Sequence, residues 1–64
     1  MTHQEIISAL RSRRKSLGIT LAKLSEQTEI RATTICDIEN GKRTPSLTTL
    51  LRLTDALGLS IIIQ

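Results

Sequence analysis

The sequence contains no Phe, Tyr or Trp, so any core it builds must be aliphatic. The same absence removes the flat rings on which single-stranded nucleic acid stacks, and a nucleic-acid partner would therefore be a duplex. A lone cysteine, Cys36, excludes an internal disulfide. Cys36 and His3 together also fall short of the roughly four ligands that a structural zinc site needs, so no metal and no other cofactor is expected. There is neither an apolar run of membrane-spanning length nor a signal-peptide pattern, which predicts a cytoplasmic protein with no membrane partner. No nucleophile has a neighbouring base, and no glycine loop could cradle phosphate, so the chain does not read as an enzyme.

What is present fits one small domain. A chain of 64 residues hides only roughly 60% of the surface its unfolded form exposes, and is marginally stable unless something supports it. With disulfide and zinc excluded, association with a second chain is the remaining common support. Nine Lys and Arg against six Asp and Glu give a net charge of +3, which suits a polyanionic partner without specifying one.

Taken in order, the chain predicts four helices. Thr2 and Glu5 have the spacing of a capping box, followed by an inner stripe of Ile6, Leu10 and Leu17. Arg11, Arg13, Arg14 and Lys15 crowd the second half of this helix, where positive charge suits the negative end of the dipole. Gly18 ends it. Thr20 can cap a second helix with Leu21 and Leu24 on one side, and Ser25 is small enough to let a neighbouring helix approach. The connection Gln27, Thr28, Glu29 lacks the glycine that such a turn usually carries, so a left-handed Glu29 would cost on the order of 1 kcal/mol. A third helix is expected from about Arg31 to Glu39, with Ile35 and Ile38 inward and Asn40 and Gly41 closing it. Pro45 blocks continuation and Ser46 caps a fourth helix bearing Leu47, Leu50, Leu51, Leu53 and Leu57, stopped by Gly58.

The stretch Thr20 to Asn40 thus holds two short amphipathic segments and a tight connection, the layout of a helix-turn-helix. The outer side of the second segment carries Arg31, Ala32, Thr33, Cys36 and Asp37, small or polar residues able to lie in a major groove. Arg31 could fork onto guanine, Ala32 or Thr33 could meet a thymine methyl, and Asp37 could accept from cytosine N4. Asp37 has a second reading, as a charge facing solvent or Arg31, because phosphates repel a carboxylate. For Cys36 a redox role is disfavoured, since the chain has no resolving partner. Lys42 and Arg43 follow on a loop where two positive charges can meet a phosphate strand.

After Gly58 the sequence changes character. Three consecutive Ile predict an extended segment over Leu59, Ser60, Ile61, Ile62 and Ile63, with no partner strand elsewhere in the chain. Pairing with the same strand of a second copy about a two-fold axis would satisfy it; folding back over its own helices is the alternative. The expected architecture is all-α, a four-helix DNA-binding domain over residues 1–58, followed by a dimerisation β-strand over 59–64.

From Leu17 to Gly58 the sequence resembles the Xre/Cro family of helix-turn-helix regulators, the group that includes phage repressors. The resemblance rests on Leu17, Gly18, Ile19 and Thr20, then Leu24, Ser25 and Ile35, and most specifically on Ile38, Glu39, Asn40, Gly41 and Lys42 followed by Pro45 and Ser46. It implies that Arg14 pairs with Glu39, that Ala32, Thr33 and Asp37 touch base edges with Arg31 and Cys36 beside them, and that Thr20, Asn40, Lys42 and Arg43 hold the sugar-phosphate backbone. Three positions depart from the family pattern: Leu21 stands where a DNA-anchoring Gln is usual, Ser25 for Ala, and Glu29 for the turn Gly. With the tail included, Leu47 to Ile63 is similar to HipB-type antitoxins, which pair such strands across a homodimer, repress their own operon and bind a HipA-type kinase toxin. The expected function is a sequence-specific repressor of double-stranded DNA with an inverted-repeat operator, acting as an antitoxin of that kind. The alternatives are a phage or restriction-modification regulator of the same family, or a protein-interaction adaptor that has lost DNA binding.

Overall fold

The computed structural model describes residues 2–60, which form four helices: α1 (His3–Ser16), α2 (Leu21–Thr28), α3 (Ala32–Glu39) and α4 (Leu47–Ala56). Three of them start on hydroxyl caps that the sequence foretells. Thr2 accepts the Glu5 N–H at 3.1 Å, Thr20 that of Lys23 at 3.1 Å, and Ser46 that of Thr49 at 3.2 Å. Each such cap satisfies a donor that the first helical turn leaves unpaired, and is worth about 1 kcal/mol. Helix α3 differs, for Arg31 is its N-cap residue and makes no side-chain capping bond.

The helix ends divide in the same way. Helices α1, α3 and α4 close with paired backbone bonds across a glycine: after α3, Gly41 N–H donates to Ile38 at 3.1 Å and Lys42 N–H to Asp37 at 2.8 Å. This Schellman geometry needs a left-handed residue, which Gly41 supplies at φ +76° without a Cβ penalty. Helix α2 instead ends on Glu29 at φ 60°, with a single bond from its N–H to the Ser25 carbonyl at 2.9 Å.

Helix α2 lies at the centre, packed against both α3 and α4, while α1 packs on α3. The core is entirely aliphatic: Ile7, Leu10, Leu24, Ile30, Ile35, Ile38, Leu53 and Leu57. At roughly 1.5–3 kcal/mol per buried side chain this is the main stabilising term, opposed by chain entropy of similar size. Leu21, Ile19, Leu50 and Leu59 are partly buried against it.

Several core expectations are corrected. On α1 the inner stripe is Ile7 and Leu10, with Ile6 only half-buried. Leu17 is 46% exposed, because it is the C-cap residue and stands past the last helical turn. On α4, Leu53 and Leu57 are buried but Leu47 and Leu51 are 68% and 44% exposed. Leu51 is turned about 100° from Leu50 around the helix, and Thr54 occupies a buried place instead, its hydroxyl donating to the Leu51 carbonyl at 3.0 Å. Arg31 stands at the N-cap position of α3, one residue before its first helical residue, Ala32, and Glu39 ends the helix as expected.

Among the described residues there is no strand. Leu59 completes the exit of α4, its N–H donating to the Thr54 carbonyl at 2.8 Å, and Ser60 is exposed. Ile61, Ile62 and Ile63, the heart of the expected dimer strand, lie outside the described residues.

Candidate nucleic-acid interface

An eight-residue helix has little stability of its own, so α3 depends on what its neighbours do to it. Its inward face is Ile35 and Ile38, both fully buried. At about 100° per residue, Ala32, Cys36, Asn40, Thr33 and Asp37 fall within an arc of roughly 140° on the other side. Thr33 and Asn40 are exposed there, and Ala32, Cys36 and Asp37 are half-buried. The helix therefore shows a narrow band of small and polar groups to the outside. Small and polar groups are the kind of side chain a helix needs to approach base edges in a major groove.

The C-terminal end of α3 is fixed by charge. Arg14 Nε donates to Glu39 Oε2 at 2.7 Å and its Nη2 to Oε1 at 2.9 Å, a two-pronged ion pair, while Nη1 reaches the Ile19 carbonyl at 2.9 Å. The two side chains are only 12% and 8% exposed. One guanidinium thus ties α1, the segment leading into α2, and the end of α3 together. Hydrogen bonding to Glu39 holds the Arg14 guanidinium above its ordinary range, against an opposing effect of burial. A raised folded-state value means that this contribution is complete at all pH values below the ordinary arginine range and fades only in stronger alkali.

Beyond that end the chain enters the segment 40–46, where Lys42 and Arg43 are exposed. The Lys42 backbone is held by its bond to Asp37, so its side chain leaves a defined point. Thr20 is exposed at the start of α2, its hydroxyl engaged in capping, and Asn40 Nδ2 donates to Cys36 Sγ at 3.3 Å. Among the described residues the ion pairs are Arg14 with Glu39 and Lys23 with Glu26, so Asp37 makes none with Arg31. Leu21, where the family pattern would have a polar anchor, packs against the core.

Two contributors escape a reading of sequence alone. Arg13 lies in a basic run whose charge suits the end of the helix dipole, yet its Nε donates to the Leu57 carbonyl at 2.9 Å, tying α1 to the end of α4. Ser25 looks like a space-saving residue, yet its hydroxyl donates to the Ile30 carbonyl across the turn. Neither has a signal in residue spacing, since each bonds to a backbone carbonyl that only the fold brings near.

Two helices joined by the three residues 29–31, with the second sealed into the core on one side and partly open to solvent on the other, define a helix-turn-helix, the geometry in which the second helix enters a DNA groove. A family model described as helix-turn-helix, of the Xre-like type, matches residues 10–63, and the chain belongs to this family of DNA-binding transcription regulators. No curated protein and no solved structure matches the chain.

Proposed function

We propose that the chain is a sequence-specific transcriptional repressor acting as a homodimer on an inverted repeat in double-stranded DNA. The observation that carries this is the contrast across α3, where Ile35 and Ile38 are sealed in the core while Thr33 and its neighbours face outward from a helix held at both ends. In this reading Ala32, Thr33 and Asp37, with Arg31 and Cys36 beside them, meet base edges. Thr20, Asn40, Lys42 and Arg43 meet the backbone. Dimerisation through residues 59–64 would set two copies of α3 about one helical turn apart, near 34–36 Å.

The finer assignment we favour is the antitoxin of a HipBA-like operon, supported by an aliphatic segment that begins within a few residues of α4. A kinase-like neighbouring gene would strengthen it; a phage or restriction gene would favour another regulator of the family. Fluorescence anisotropy with the promoter region of its own operon tests the main reading. Binding should exceed that to a random duplex, and its logarithm should fall steeply with log salt as several phosphates are neutralised. Equal binding to both duplexes would leave the adaptor as the better account.

A further inference from the structure

Glu29 is the one non-glycine residue at positive φ among those described, and a strained position of this kind persists only where its surroundings over-determine it. Two hydroxyls of α2 do so. Thr28 Oγ1 donates to the Leu24 carbonyl at 2.8 Å and accepts the Ile30 N–H at 3.3 Å. The Ser25 hydroxyl donates to the Ile30 carbonyl. Both polar groups of the Ile30 backbone are thereby held by side chains of α2, in a place where Thr28 is 5% and Ile30 9% exposed. Ile30 is also a core residue, and the next residue, Arg31, opens α3. The point and direction at which α3 leaves α2 are therefore set by two hydroxyls around one buried isoleucine.

We propose that Ser25 and Thr28 are positioning residues for sequence readout, a two-hydroxyl clamp that replaces the conformational role of a turn glycine and fixes the angle of α3 to α2. The proposal rests on α3 being the base-reading helix. Contacts to base edges are directional and short, so a small rotation of α3 breaks them. Contacts from Lys42 and Arg43 to phosphate run through long, flexible side chains on the loop after α3, which can re-aim after the same rotation. Loss of the clamp should then erode discrimination more than attraction.

The test uses two duplex probes of equal length: the tightest one that the wild-type chain recovers from a randomised pool, and an unselected one. Ser25→Ala and Thr28→Val should each weaken binding to the selected duplex about tenfold, and to the unselected duplex less than about twofold. Thr28→Ser keeps the hydroxyl and should keep the wild-type ratio. Amide exchange at Ile30 should accelerate in Thr28→Val and not in Thr28→Ser, at a temperature where circular dichroism shows all variants folded. Equal losses on both duplexes, or an unchanged ratio, would overturn the clamp as a positioning device and leave it a stabilising one. Should Thr28→Val fail to fold, Ser25→Ala carries the comparison alone. A wild-type chain that favours no duplex from the pool would instead overturn the DNA-reading assignment itself, and the clamp proposal with it.

Discussion

Helix α3 is fastened at its two ends by different chemistry. At its C-terminal end a two-pronged ion pair, Arg14 with Glu39, is largely shielded from water, and a doubly bonded glycine turn follows. At its N-terminal end, among the described residues, there is no ion pair and no side-chain cap; neutral hydroxyls of α2 bond the turn before the helix begins. The difference lies in what failure would leave behind. Removing one partner of this largely shielded ion pair strands a charge with little access to water, whereas removing a hydroxyl strands at most one backbone group. The charged end therefore governs whether the domain holds together, and the neutral end governs how α3 is aimed.

The largest expected effect comes from breaking the charged end. Arg14→Ala should cost about 3–5 kcal/mol in urea unfolding. That is much of the roughly 3–10 kcal/mol that a domain of this size possesses. Arg14→Lys, which keeps charge but loses the fork, should cost less. If Arg14→Ala costs under about 1 kcal/mol, the pair behaves as a surface contact and the contrast between the ends disappears. At the neutral end, Glu29→Gly removes the strain of a left-handed Glu and should stabilise by about 1 kcal/mol, raising the melting temperature by about 4–8 °C. A destabilised Glu29→Gly protein would mean that the Glu29 side chain itself supports the turn. The smallest effect on stability is expected beyond both ends. Lys42→Ala combined with Arg43→Ala should change unfolding free energy by less than about 0.5 kcal/mol. The same double change should lower the salt slope of DNA binding by about two per chain. An unchanged slope would remove both residues from the phosphate contacts.

The parts of this fold legible from sequence are those fixed within a turn or two of chain. Thr2, Thr20 and Ser46 cap helices because each hydroxyl meets an N–H three positions on, and the missing turn glycine marks Glu29 as the candidate for a left-handed residue, which its φ of 60° bears out. Ile35 and Ile38 were readable as core by helical spacing, leaving the outward band of α3 to follow by subtraction. Legibility fails where burial depends on distant neighbours. Ile6 and Ile7 are chemically equivalent, and only the approach of the rest of the fold to α1 selects Ile7. Leu47 and Leu51 continue an apolar pattern that the packing of α4 does not use. The Arg14 to Glu39 pair came from family resemblance; its forked geometry and its third bond to Ile19 came from the structure.

Sequence separation ranks the two fastenings by entropic cost as well. The bonds around Ile30 span at most five positions, whereas Arg14 reaches Glu39 across 25 and Arg13 reaches Leu57 across 44. Closing longer loops costs more entropy, so the bonds around Ile30 are the cheaper of these to form and the two arginine bonds of α1 the costlier. The element nearest the amino terminus thus holds the end of α3 and the end of α4 at once, and its detachment would release both.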